Sequence, residues 1–222
     1  KGDTTLGVWS LSFLTSPALR RAVNSAGFLV RPGFGDAIGI WGSGRPAARG
    51  RLAARFSGKP LVSLEDGFLR SVLPGRGQPV VSLIADDLGI YFNAARPSRL
   101  DHLIQDANGD DAAERAMVAV RSSRLSKYNH APDLPTSRKG HVLVIDQTRG
   151  DASIKFGVAN KDSFERMLAA ARSENPNAEI IIKTHPEASS GAKGGYFSLA
   201  DADHRTEIMS ELANPWDLLE GA

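Results

Sequence analysis

The sequence predicts an α/β fold built on parallel sheets with helices on their faces, and three features of the chain carry that prediction. Val142, Leu143, Val144 and Ile145 form a continuous apolar run of the kind found in strands buried on both faces. A helical face follows, and then a second apolar run at Ile180, Ile181 and Ile182, which together make a strand, helix, strand unit. The same order occurs earlier: an apolar stretch over 37–41, then Ala48, Leu52 and Phe56 at helical spacing, then another apolar stretch over 61–64.

Taken in chain order, residues 19–26 read as a short helix, with Pro17 near its start and Gly27 as its stop signal. Residues 28–30 read as a strand closed by Pro32 and Gly33. The strand over 37–41 leads into the loop Gly42-Ser43-Gly44-Arg45-Pro46, and the helix after it carries arginines between its apolar positions and ends at Gly58 and Pro60. The strand over 61–64 runs directly into Glu65-Asp66-Gly67, so two carboxylates stand where a strand gives way to a loop. Residues 74–79 are rich in glycine and proline and read as a turn, and 80–84 are strand-like before Asp86 and Asp87. The polar, alanine-rich region 101–124 reads as one or two surface helices around a break near Gly109.

Residues 130–140 contain two prolines and little periodicity, and are read as a connection between a first domain over 1–129 and a second over 141–222. In the second, the loop Asp146-Gln147-Thr148-Arg149-Gly150-Asp151 follows the apolar run. Phe164, Met167, Leu168 and Ala171 then trace one helical face, with Asn160 or Asp162 to cap its start and Asn175-Pro176 near its stop. The strand over 178–182 leads into Lys183-Thr184-His185-Pro186, and 214–222 read as one more helical turn.

With 222 residues, 41% hydrophobic and 23% charged, the chain is long enough for one large or two small cores. Its apolar runs fall far short of the roughly 20 residues that span a bilayer, and Lys1-Gly2-Asp3-Thr4-Thr5 lead into no signal-peptide pattern. The absence of cysteine excludes disulfides, thiol nucleophiles and cysteine-ligated metals, and fits a cytoplasmic protein. Net charge is only +2, yet Arg20, Arg21, Arg31, Arg45, Arg49, Arg51, Arg55 and Lys59 are opposed between them by Asp36 alone. Such a stretch suits an anionic membrane surface, an anionic acceptor or nucleic acid, or is simply a solvated helix surface. With 7% aromatics, no RNA-binding aromatic motif and no zinc finger, nucleic acid is not an expected partner.

Three segments carry chemistry-bearing side chains just beyond strands, where open parallel sheets bind ligands. Glu65-Asp66 can supply a general acid or base. If strand geometry persists, their side chains point opposite ways, one toward chemistry and one toward the loop. The alternative is a turn whose carboxylates bind amides around Gly67, with Arg70 as an ion-pair partner. The loop 146–151 can place an aspartate beneath a sugar whose positive charge grows in the transition state, or is a polar turn. It lacks the glycine spacing and Lys-Ser or Lys-Thr of a phosphate-binding P-loop. Lys183 and His185 suit an anionic ligand, although a single His-Pro also fits a structural histidine. The five histidines are scattered and no His-Glu-x-x-His is present, so no metal site is expected.

At these residues the sequence resembles the Kdo transferases of capsular polysaccharide biosynthesis and export in Gram-negative bacteria. The resemblance rests on six ordered strings: Trp41-Gly42-Ser43-Gly44-Arg45-Pro46, Leu64-Glu65-Asp66-Gly67-Phe68-Leu69-Arg70-Ser71, Asp87-Leu88-Gly89-Ile90-Tyr91, Ser126-Lys127-Tyr128-Asn129, Asp146-Gln147-Thr148-Arg149-Gly150-Asp151 and Lys183-Thr184-His185-Pro186. It implies a GT-B-like enzyme of two Rossmann-like domains that transfers β-Kdo from CMP-Kdo, with retention, to a lipid-linked Kdo linker. No further cofactor is implied, and the enzyme would work in the cytoplasm, peripheral to the inner membrane. The resemblance makes Asp151 the expected nucleophile with Asp146 as its rival, and Glu65 and Asp66 the acid/base pair. His185 and Lys183 would contact the CMP-sugar, Gln147 and Arg149 would orient the donor, and Lys127, Tyr128 and Asn129 would line the cleft. The family continues beyond the position of Glu220 with a strand and a Thr-Ser-Gln type loop that holds the nucleotide phosphate, so the second domain is expected to be partial. The alternative is an incomplete, inactive homologue that binds at most glycan or lipid.

Overall fold

A computed structural model of the chain describes residues 4–73, 78–106, 109, 111–134, 139–189, 191 and 193–222. The chain divides into two compact units, residues 1–127 and 128–222. The first begins with β1 (Thr4–Val8), α1 (Leu11–Thr15), α2 (Pro17–Ser25), β2 (Phe28–Pro32) and β3 (Ala37–Trp41). It continues with α3 (Ala48–Ser57), β4 (Leu61–Asp66), β5 (Leu83–Asp86), α4 (Arg99–Gln105) and α5 (Asp111–Ser122).

The first sheet has the order β2-β1-β3-β4-β5. The pairings are parallel except β4 with β5, which is antiparallel with Asp66 opposite Leu83. Strand order reverses between β1 and β3, the position at which doubly wound sheets open a crevice beyond their carboxyl ends. One face of the sheet packs Leu6, Val8, Val62 and Leu64 against Phe13 of α1 and Leu19 and Val23 of α2. Each fully buried side chain of this kind contributes roughly 1.5–3 kcal/mol. Helix α2 starts where the sequence places it: Pro17 occupies its first turn, and the Ser16 hydroxyl accepts from the Leu19 amide at 3.2 Å. The other face presents Ile38 and Ile40 to α3, which comes so close that a Cβ on Gly50 would lie 2.5 Å from Ile40 Cγ2. Gly58, at φ +66°, ends α3 in the left-handed conformation that glycine tolerates.

Strand β1, central to this sheet, goes unpredicted, because Thr4, Thr5 and Gly7 interrupt the apolar signal of Leu6 and Val8. The strand expected over 80–84 forms over 83–86 instead. The turn expected over 74–79 falls largely outside the described residues. Asp86 is 1% exposed and accepts from the amides of Leu88, Gly89 and Arg99, while Asp87 holds the Arg99 guanidinium through two bonds of 2.7 and 2.8 Å. Both carboxylates are therefore engaged in folding the segment that leads into α4.

The second unit contains β6 (His141–Ile145), α6 (Ala152–Phe156), α7 (Lys161–Glu174), β7 (Glu179–Lys183), α8 (Pro186–Ser189), β8 (Thr206–Met209) and α9 (Pro215–Leu219). Its sheet is β6-β7-β8, all parallel, with Ile145 opposite Lys183. Phe164 and Leu168 of α7 pack on Val144, Ile180 and Ile182, and Asn160 caps α7 in a reciprocal box with Ser163. The segment read as a connection belongs to this unit, where it is tied to the tail. The Leu134 amide donates to Asp217 at 2.7 Å, the Asn214 amide to the Pro132 carbonyl at 2.8 Å, and His141 Nε2 meets the Leu218 carbonyl at 3.0 Å. Residues 135–138 of that segment lie outside the described residues. Among the described residues no helix is long and apolar enough to cross a membrane.

Candidate active site

In the first unit the candidate residues lie at the carboxyl end of β4. Both Glu65 and Asp66 are still in the strand, so their side chains leave on opposite faces. Asp66 shares the face of Val62 and Leu64 and binds Arg70 Nε at 2.8 Å in a half-buried ion pair. Glu65 turns the other way, toward the loop after β3. A Cβ on Gly42 would stand 2.9 Å from Glu65 Oε2, and the Gly42 amide donates to the Leu64 carbonyl at 2.8 Å. Gly42 has φ +59°, and its bare Cα makes room for the carboxylate beside the Ser43-Gly44-Arg45 turn. Trp9 and Phe34 stand at the ends of β1 and β2 with rings 5.2 Å apart, edge to face and partly exposed.

In the second unit the loops after β6 and β7 meet. The Asp146 amide donates to the Lys183 carbonyl at 3.0 Å, which puts the 146–151 loop beside the 183–186 segment. Asp146 itself is 1% exposed. Its Oδ1 accepts from the Gln147 amide at 2.8 Å and the Tyr196 amide at 2.9 Å, and its Oδ2 lies against Gly195, where a Cβ would come within 2.2 Å. Asp146 is thus enclosed, with Oδ2 buried and lacking a hydrogen-bond partner among the described residues, and presents less carboxylate surface than Asp151 does. It acts as a latch that holds the Gly194-Gly195-Tyr196 segment on the loop, with the Arg149 amide donating to the Gly194 carbonyl at 2.8 Å.

Asp151 is partly exposed and caps α6. Its Oδ1 accepts from both the Ser153 amide (2.8 Å) and the Ser153 hydroxyl (2.6 Å), which directs Oδ2 away from the helix. Arg149 is exposed, 5.9 Å from the Tyr196 ring centre, at the rim of a groove of about 390 Å³ that is also lined by Lys161, Glu165 and Arg172. The Gln147 side-chain oxygen accepts from the Thr148 amide at 2.9 Å and so shapes its own loop.

His185 is half-buried at the start of α8. Its Nδ1 accepts the Glu187 amide at 3.1 Å, which leaves the ring proton of the neutral tautomer on Nε2, 3.2 Å from the Tyr128 hydroxyl. Burial, followed by the Glu187 charge, pushes the Tyr128 pKa up, so the phenol stays protonated. Lys183 is half-buried with Nζ donating to the Thr184 carbonyl at 3.0 Å, and burial lowers its pKa. Lys127 and Asn129 are exposed on either side of Tyr128, and the division between the units falls between Lys127 and Tyr128.

The structure thus gathers residues 146–151, Lys183, His185 and Tyr128 at one end of the second sheet, and Glu65 with Gly42 at the end of the first. Sequence reasoning missed Gly195 and Tyr196, for which the only signal is a glycine pair followed by an aromatic. Among the described residues no three His, Cys, Asp or Glu side chains are placed to hold a metal ion.

The sequence profile of the capsule polysaccharide biosynthesis proteins matches residues 36–133 and 111–221. The capsule polysaccharide modification protein LipA of Neisseria meningitidis serogroup B is 40% identical over 198 residues, covering 83% of this chain and 28% of LipA. The lipopolysaccharide-processing protein LpsZ of Rhizobium meliloti is 34% identical over 187 residues, covering 79% of this chain and 42% of LpsZ. The chain therefore spans less than half the length of these relatives. Among solved structures, the β-Kdo 2,4 transferase of Thermosulfurimonas dismutans KpsC superposes with a TM-score of 0.87 at 36% identity, over 99% of this chain and 72% of that one. The β-Kdo 2,7 transferase of the same protein matches with a TM-score of 0.54 at 25% identity, over 83% and 62%. The mixed first sheet and the parallel second sheet have the GT-B-like α/β fold, and the chain belongs to the capsule polysaccharide biosynthesis protein family.

Proposed function

We propose that this chain carries the machinery of a retaining β-Kdo transferase that takes Kdo from CMP-Kdo and adds it to a lipid-linked Kdo linker in capsule biosynthesis, at the cytoplasmic side of the inner membrane. The observation that carries the reading is Asp151: a partly exposed carboxylate beyond a parallel strand, held by Ser153 through one oxygen only, on a loop that contacts the His185 segment. In a double displacement, an oxygen of Asp151 attacks the anomeric carbon of Kdo, and the bond to the CMP phosphate breaks with its electron pair leaving on CMP. An acceptor hydroxyl then attacks the same carbon and gives its proton to a base. The Asp151 carboxylate leaves, and two inversions sum to retention.

The family resemblance gives that proton to the Glu65-Asp66 pair, and we assign it to Glu65, which faces the loop after β3 beside Gly42, whereas Asp66 points to the other face and is ion-paired with Arg70. With Nδ1 accepting from Glu187, the Nε2 proton of His185 goes to the Tyr128 oxygen, and the Tyr128 hydroxyl is the donor offered to a phosphate or carboxylate oxygen. Exposed Arg149 supplies positive charge for the acidic sugar. The test is transfer from CMP-Kdo to a synthetic Kdo-primed lipid by the chain and by Glu65→Gln. The expected result is product from the parent and a rate about 10²-fold lower or less from the variant. Full activity in Glu65→Gln sinks the base assignment, and no transfer by the parent favours the binding-only alternative.

A further inference from the structure

Helix α3 turns the wrong residues outward for a helix that faces only water. Its buried side is Gly50 and Ala54, with Ala47 just before it, and its outward pole carries Leu52 and Phe56, which are 53% and 81% exposed. A solvated helix places charge at that pole and apolar side chains toward the core. At 3.6 residues per turn, Arg49 falls about 40° to one side of the Leu52–Phe56 midline and Arg55 about 80° to the other. Both arginines are exposed, as is Arg45 in the turn before the helix. Among the described residues none of the three forms an ion pair, and residues 37–64 contain five cations and no Asp or Glu.

We propose that this face of α3 docks on an anionic lipid bilayer, with Leu52 and Phe56 entering the headgroup and acyl boundary while Arg45, Arg49 and Arg55 bind lipid phosphates around them. An apolar ridge flanked by arginines is the pattern of an interfacial helix, where long cationic side chains reach back to the headgroups. A soluble acidic glycan would satisfy the arginines but gains nothing from an exposed phenylalanine and leucine, so the ridge favours the bilayer. Arg20 and Arg21 take no part, because α2 packs on the opposite face of the sheet. The proposal is independent of the transferase reading, since lipid binding needs no turnover.

The experiment is co-sedimentation of the chain with phosphatidylglycerol-containing vesicles and with pure phosphatidylcholine vesicles, across a salt series. Parent chain should partition onto the anionic vesicles and release as salt rises. Each cation near such a surface is worth about fivefold, so Arg45→Gln, Arg49→Gln and Arg55→Gln together should lower partitioning about a hundredfold. Leu52→Ser with Phe56→Ser should weaken binding at every salt concentration, including low salt where the arginines act most strongly. All positions are exposed, and a melting curve for each variant confirms that the fold is unchanged. No binding to anionic vesicles overturns the proposal. So does binding unaffected by the serine pair, or a salt-dependent complex with a soluble acidic polysaccharide as tight as that with vesicles. Dimerisation abolished by the serine pair in the absence of lipid also overturns it, because the ridge would then be a contact between copies.

Discussion

Replacing Asp151 by asparagine and by alanine separates two roles that one carboxylate holds. As the cap of α6 it accepts two hydrogen bonds from Ser153 on Oδ1, at 2.8 and 2.6 Å. Asparagine retains an oxygen at that position and caps helices about as well as aspartate, so Asp151→Asn should cost only a few tenths of a kcal/mol, from the lost charge at the helix start. Alanine removes the cap and should cost about 1 kcal/mol, or about 4 °C in Tm for a unit of this size. Transfer responds differently if Asp151 is the nucleophile, because a neutral amide cannot form the glycosyl ester. Both variants should then lose activity by a factor on the order of 10³ or more. Thermal melts and the CMP-Kdo transfer assay on the same preparations give the two readouts. If Asp151→Asn transfers at within about tenfold of the parent rate while the alanine variant is inactive and less stable, the residue is a cap and the nucleophile lies elsewhere.

Gly195→Ala should destabilise the second unit by about 2 kcal/mol, since its Cβ would meet the buried Asp146 Oδ2 at 2.2 Å and the Ala188 Cβ at 3.3 Å. Gly194→Ala is the control, its nearest neighbour being Arg149 Cδ at 3.6 Å, and urea midpoints should separate the two variants clearly. The first unit should show an acid dependence through Asp36, whose pKa is held below the usual 3.8 by the Thr5 hydroxyl and then the Thr5 amide. The native state thus binds this proton less readily than the unfolded chain. Its contribution is present above the unfolded value and is lost as pH falls through the lower, folded one. Asp36→Asn should therefore flatten the acid limb of a stability-versus-pH curve, and an unchanged limb would remove Asp36 from the account.

The strands and helices with a single clean signal were legible in the sequence. The helix α7 buries Phe164 and Leu168 one turn apart behind an Asn160 cap, and β6 and β7 are short apolar runs that have no other use. Helix α3 was legible only in part. The spacing of Ala48, Leu52 and Phe56 locates it, but the side against the sheet is Ala47, Gly50 and Ala54, because Ile38 and Ile40 leave no room for larger residues. Strands β1 and β8 were not seen, since each is a short piece in which threonine, glycine or glutamate breaks the apolar pattern. At the site, sequence order supplied the loops but not their contacts. Tyr128 and His185 are 57 positions apart, and the Asp146 contact with Gly195 depends on a glycine whose meaning is visible only when the neighbouring oxygen is in place.

The two carboxylate-bearing loops solve the same physical problem in the same way. A loop that presents a charged group at the end of a buried strand must itself be held, and an acidic side chain is well suited to bind backbone amides or an arginine. After β4, Asp66 takes Arg70 and leaves Glu65 facing Gly42. After β6, Asp146 takes two amides in a closed space and leaves Asp151 at the surface with its bonds on one oxygen. After β6 the carboxylate with the firmer partners is also the less accessible one, Asp146 being 1% exposed and Asp151 partly exposed. Removing the holding member should therefore lower stability and reactivity together, whereas removing the presented member should lower reactivity with little change in fold. Asparagine at 151 meets that second condition, because it retains the cap while abolishing the charge.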